Sequence, residues 1–161
     1  MKPIRLLLVA LLLLMASHRP HFSRPLIAPE PALDPFLHGV ASGDPLPDRV
    51  LLWTRITPPS NTASVEVQWQ VALDPQMQHL VATGSTTTDA QRDYTVKVDA
   101  AGLDPATTYY YRFLYHGQTS ITGRTRTAGH ADHLRFAVVS CANFQEGYFN
   151  AYDRIADRAD L

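Results

Sequence analysis

Between residues 36 and 126 the chain repeats one device, a short run of alternating apolar and polar side chains closed by glycine, proline, aspartate or asparagine. Seven such runs can be drawn, over 36–42, 50–56, 65–73, 79–86, 94–100, 108–115 and 120–126. Successive side chains of a strand point to opposite faces, so a period of two marks a sheet with one buried side. The third run is the cleanest: Val65, Val67, Trp69 and Val71 share one face while Glu66, Gln68 and Gln70 take the other. No helix-length pattern of period 3.6 interrupts the series, which predicts a mainly β domain.

Composition supplies the bounds. The chain has 161 residues, 45% hydrophobic and 18% charged, enough for one core and part of a second. The formal charge is -1 and the basic residues are scattered, which argues against nucleic acid as a partner.

The amino-terminal 17 residues have the layout of a signal peptide: Lys2 and Arg5, an apolar run over 6–16, then Ser17-His18-Arg19-Pro20. A permanent anchor is the other reading, but the run has 11 residues, and a helix needs about 20 to cross the hydrocarbon core. The expectation is therefore an exported chain, periplasmic, cell-surface or secreted, with no stable membrane span. Residues 18–35 hold five prolines, Pro20, Pro25, Pro29, Pro31 and Pro35. That density excludes helix and central strand and predicts an extended linker.

The stretch Gly102-Leu103-Asp104-Pro105-Ala106-Thr107-Thr108-Tyr109 resembles the turn of fibronectin type III domains, in which a tyrosine closes a corner onto the upstream backbone. The resemblance makes Tyr109 the corner residue and residues 36–128 a fibronectin III/Ig-like β-sandwich. Three tyrosines covering an edge strand would be the plainer reading. Elsewhere in the sandwich, Gly43-Asp44-Pro45 is a turn signal, and Trp53 with its neighbouring leucines is expected in the core. Arg55 and Asp44 could pair, although solvated loop charges are the simpler expectation.

After residue 133 the character changes. An apolar run over 134–140 reads as a strand, and 149–159 has helical spacing with Phe149, Tyr152, Ile155, Ala156 and Ala159 on one face. Strand, loop and helix together are the first half of a βαβ unit whose second parallel strand does not follow before Leu161. The 134–161 segment therefore reads as the incomplete β-α start of an α/β domain. The sole cysteine, Cys141, falls at the end of the strand-like run. The carboxyl end of a strand is where α/β sites keep ligands and nucleophiles. A nucleophile, a redox thiol, a metal ligand and an inert buried thiol all remain open at this point.

Four ordered motifs narrow them. HGVASGDP at 38–45, RVLLWTR at 49–55, GRTRT at 123–127 and LRFAVVSCANFQEGYFNAYDRIADRADL at 134–161 resemble the PhoD-type alkaline phosphatases. These are exported metallophosphoesterases with a β-sandwich ahead of an α/β catalytic domain. The resemblance implies hydrolysis of phosphate monoesters and diesters at a site of iron and calcium. It also makes Cys141 the position of an iron-ligating thiolate. The family's other ligands, which are carboxylates, a tyrosine, an asparagine and a histidine, correspond to no residue up to Leu161.

One thiolate alone is not expected to hold iron or calcium stably. No catalytic or substrate-binding residue is assigned, and the chain alone is expected to be inactive. Lys2 and Arg5 are separated, so the twin-arginine signal of many family members is absent. His130 and His133 read as exposed linker, His18 and His21 belong to the processed or disordered amino-terminal end, and His38, His79 and His116 read as isolated surface or hydrogen-bonded residues. Two other readings stand beside the fragment of a phosphatase: an exported β-sandwich binding or scaffolding module, and a chain completed by strands from another polypeptide.

Overall fold

The computed structural model describes residues 31–60, 62–130, 133–141 and 149–158. The chain divides into two compact units, one carrying the strands within Pro29–Ala137 and one carrying a helix within Val138–Asp157. The signal-peptide reading of 1–17, and the linker reading as far as residue 30, lie outside the described residues.

Eight strands build the first unit: β1 Val40–Leu46, β2 Arg49–Arg55, β3 Ser64–Ala72, β4 Leu80–Asp89, β5 Thr95–Ala101, β6 Thr108–Tyr115, β7 Gln118–Thr119 and β8 Gly123–Arg126. They form two antiparallel sheets, one ordered β1-β2-β5 and the other β4-β3-β6-β7, with β8 also pairing β6. This is a β-sandwich of the kind the alternation predicts.

The period-two pattern fills the space between the sheets. From β2 come Val50, Leu52 and Thr54, from β5 Val96, Val98 and Ala100, from β3 Val65, Val67 and Val71, and from β6 Tyr109, Tyr111 and Phe113, all buried. Thr54 is tolerated there because its hydroxyl donates to the Gly39 carbonyl at 2.8 Å. The same geometry corrects one expectation. With Leu52 inside, Leu51 and Trp53 must face outward, and Leu51 is exposed while Trp53 is half-buried. Strand periodicity outweighs the hydrophobicity of the individual side chain.

The corner tyrosine behaves as expected. Tyr109 is buried, and its hydroxyl oxygen accepts from the Asp104 N–H at 2.8 Å. Thr127, also buried, grips the same turn: its hydroxyl donates to the Asp104 carbonyl at 2.6 Å and accepts from the Thr107 N–H at 3.0 Å. The turn is thus held from both sides, by β6 and by the residue following β8.

Two strands begin or break later than the sequence suggests. Residues 36–39 are a turn rather than the start of β1, closed by Phe36 N–H to the Leu33 carbonyl and Gly39 N–H to the Phe36 carbonyl. Phe36 is nonetheless fully buried, plugging the core from a turn. Of the run over 120–126 only Gly123–Arg126 is strand, as β8, and β7 has already ended at Thr119. Ser120 bridges the break: its hydroxyl accepts from the buried Phe113 N–H at 2.9 Å and donates to the Ile121 carbonyl at 2.8 Å.

Residues 134–140 are not in a ladder, and Leu134, Phe136 and Val138 are exposed. β propensity expresses itself only against a neighbouring strand, and none of the described strands pairs with this run. The second unit contributes the helix α1, Asn150–Ala156. Its predicted apolar face is present in Phe149 and Tyr152, whose rings meet edge-on at 5.6 Å, and in the half-buried Ile155. Ala159 lies outside the described residues. No helix among the described residues is long and apolar enough to cross a membrane.

Candidate functional site

Cys141 ends the irregular stretch that begins at His133; residues 142–148, between it and α1, are not described. Its thiol is free and exposed. Its φ of 57° is in the left-handed region, uncommon for a residue with a Cβ, so the backbone turns sharply there. A thiol open to solvent can ligate or react.

The donor set decides what the described residues can hold. Iron and calcium need several ligands, calcium from oxygen atoms alone. Among the described residues no group of three or more His, Cys, Asp or Glu side chains converges on a point. The described donors therefore do not by themselves fit either metal, and no catalytic step is derived through one.

The histidines disperse in the same way. His130 and His133 are exposed. His79 is held by Asp74, whose carboxylate lies 3.1 Å from the ring Nδ1 and also accepts the backbone N–H groups of Gln78 and His79. Those bonds, Gln78 foremost, hold the Asp74 carboxyl below its ordinary range. His116 stands edge-on to Tyr115 at 4.3 Å. His18 and His21 lie outside the described residues.

Arg55 does not pair with Asp44. Its guanidinium clamps Asp93 through two bonds, Nε to Oδ2 at 3.0 Å and Nη2 to Oδ1 at 2.7 Å. Its Nη1 reaches His38 Nε2 at 2.6 Å. The clamp lowers the Asp93 carboxyl and raises the arginine. The cluster joins positions 38, 55 and 93, and sequence reasoning missed it. Its only available signal was the β2–β5 register that sets Arg55 opposite Thr95, two residues beyond Asp93. At the other end of β2, Arg49 bridges Asp48 at 3.1 Å and Asp99 at 3.3 Å. Both clusters tie strand ends together on the surface and leave no buried uncompensated charge.

The chain's relationship to known proteins covers the sandwich and extends beyond it. Residues 21–129 match the family model described as PhoD-like phosphatase, N-terminal domain. Alkaline phosphatase D of Bacillus subtilis (strain 168) is 38% identical over 145 residues, covering 83% of this chain and 25% of the relative. A solved structure titled "Structure of PhoD" superposes with a TM-score of 0.70 at 36% identity, covering 81% of this chain and 27% of the other. The chain spans about a quarter of the length of the relatives it matches. A family model matching most of the chain and a shared fold at this level of identity agree: the chain belongs to the PhoD-like phosphatases, and its sandwich is their N-terminal domain.

Proposed function

We propose that this chain is the amino-terminal portion of an exported PhoD-like alkaline phosphatase, whose complete form hydrolyses phosphate monoesters and diesters with iron and calcium. Family membership carries the reading. Residues 1–17 serve as the export signal, 18–35 as a linker and 36–128 as the sandwich, and 134–161 open the catalytic domain. Cys141 contributes a thiolate ligand to iron, a role its exposure permits. A transition metal bound in a full ligand set would keep such a thiol deprotonated and would supply an acidified water. The residues described here supply one donor to that set, so the chain by itself is inactive.

A second reading draws support from the sandwich, which closes its own core from Phe36 to Phe113. A domain that folds on its own could serve as an exported binding module.

One experiment separates the two. This chain is joined to the part of Bacillus subtilis alkaline phosphatase D that follows the matched region, and nitrophenol release from nitrophenyl phosphate is measured with iron and calcium. The expected results are metal-dependent turnover by the folded chimera, its loss in Cys141→Ser, and none by the chain alone. Turnover by the purified chain alone, or a chimera indifferent to Cys141→Ser, would overturn the assignment.

A further inference from the structure

A cleft of about 550 Å3 opens between the loop that follows β2 and the tip of the β6–β7 hairpin. Its two walls follow from local sequence. Tyr115 and Gln118 are paired across the hairpin, so their side chains leave the same face. The two residues between them, His116 and Gly117, have φ of 48° and 80°, the left-handed pair that a two-residue hairpin turn requires. The other wall is Pro58 and Pro59, whose rings fix the loop backbone. That loop is tied at both ends. The Thr57 N–H donates to the Pro35 carbonyl at 2.8 Å, the Thr62 hydroxyl to the Pro59 carbonyl at 2.7 Å, and the Tyr94 hydroxyl to the Thr62 carbonyl at 2.6 Å. The cleft is therefore preformed, and its volume lies within the roughly 300–1,000 Å3 of small-molecule sites.

Two observations point to a ligand. Thr57 Oγ1 is the one buried side-chain oxygen or nitrogen among the described residues that has no hydrogen-bond partner. Buried polar atoms are normally satisfied, and Thr57 belongs to the lining of this cleft, so a ligand seated there is placed to supply the missing bond. The second observation is the mixture of chemistries in the lining. Beside the proline rings and the half-buried Tyr115 stand the exposed Asp34, Ser60 and Gln118. The carboxylate accepts hydrogen bonds, and the amide and the hydroxyl both donate and accept. The lining has no lysine or arginine. A phosphate ester would meet a carboxylate and no fixed cation, so this cleft is not suited to the phosphatase substrate.

We propose that the cleft binds a neutral hexopyranose, free or as one unit of a glycan. This ligand class uses both halves of the lining. The C–H face of a pyranose ring is apolar and packs against a tyrosine ring or a proline. Its hydroxyls, each a donor and an acceptor, match Asp34, Gln118, Ser60 and the unpartnered Thr57. A purely aromatic ligand would leave these polar groups unanswered, and a cation would engage Asp34 but make no use of the hydroxyls.

The test is an amide chemical-shift titration of the purified chain by nuclear magnetic resonance with glucose, galactose, mannose and N-acetylglucosamine, and with their methyl glycosides. At least one sugar should give saturable shifts at Thr57, Ser60, Tyr115 and Gln118, with a Kd of about 1 mM for a small open site. Methyl glycosides that bind as well as the free sugars identify a unit of a glycan, and binding by the free sugars alone identifies a free sugar. Gln118→Ala removes one donor and acceptor and should weaken binding about fivefold. Ser60→Trp fills the cleft and should abolish binding. Both side chains are exposed, and Asp34→Asn, exposed as well, repeats the test should Ser60→Trp misfold. Inorganic phosphate should shift none of these amides. No saturable shift with any of the sugars, shifts confined to residues outside the cleft, binding indifferent to these variants, or the same shifts produced by phosphate would overturn the proposal.

Discussion

Replacing Tyr109 by phenylalanine removes one oxygen atom and leaves the ring in place. That atom accepts the Asp104 N–H at 2.8 Å, in a part-buried position where the donor has no other hydrogen-bond partner drawn from the turn. The ring remains packed, so no cavity or transfer cost enters, and the change reports the hydrogen bond alone. A hydrogen bond of this kind is worth about 1 kcal/mol net, and stranding a buried donor costs about 1–3 kcal/mol. Asp104 itself is exposed at its side chain, which gives its N–H partial access to water and places the expected loss at about 1–2 kcal/mol. For a domain near 100 residues each kcal/mol lowers Tm by about 4–8 °C. Urea unfolding followed by tryptophan fluorescence should show a lower midpoint at unchanged slope. Thr127→Val removes the second hydroxyl on the same turn, and because both grip Asp104 the two losses should not add. A Tyr109→Phe change within about 0.5 kcal/mol of wild type, the range of neutral surface substitutions, or strict additivity with Thr127→Val, would refute the view that this corner is clasped cooperatively.

Two further tests probe packing and charge. Gly123 lies opposite the buried Tyr111, and a Cβ there would sit 2.4 Å from the ring, whereas one at Gly43 would meet nothing within 4 Å. Gly123→Ala should therefore cost about 1–3 kcal/mol by overpacking, with Gly43→Ala the near-neutral control in the same urea titration; equal effects would contradict the packing. The Arg55 clamp lowers the folded-state carboxyl of Asp93 from its ordinary 3.8. A lowered carboxyl contributes stability that is present above its unfolded value and lost as pH falls through the folded one. The wild type should thus exceed Arg55→Gln in stability at neutral pH, and the two should converge as pH drops below about 4; parallel curves throughout the acid range would show that the clamp contributes nothing.

The parts of this fold legible in the sequence were those fixed by neighbours in the chain. Alternation from Val65 to Val71 assigned both faces of β3, and the Leu103–Asp104–Pro105 approach placed Tyr109 at its corner. Trp53 shows where size misled: Val50, Leu52 and Thr54 already claimed the inner face, so period two required Trp53 to point outward whatever its hydrophobicity. Phe36 misled in the opposite sense, being buried without belonging to a strand. Partners chosen across the fold left weaker traces. Arg55 finds Asp93 only because β2 and β5 align, and Ser120 replaces a missing ladder bond only because β7 ends beneath it.

The same distinction separates Cys141 from a site. A thiol at the junction between an apolar run and a helix is a local pattern, and it marked a position. A metal site is a convergence of donors from several loops at strand ends, which no local pattern encodes. The run over 134–140 shows the same dependence in backbone form, for its β-branched residues remain outside any ladder. The sandwich, by contrast, meets its needs within 36–128, pairing its strands and closing its own core. Substitutions at its turns should therefore register in stability, and substitution of Cys141, exposed and outside that core, should leave sandwich unfolding unchanged while removing activity from the chimera. A Cys141→Ser variant that shifted the urea midpoint of the sandwich would show that the thiol is a packing residue, and the ligand assignment would fail with it.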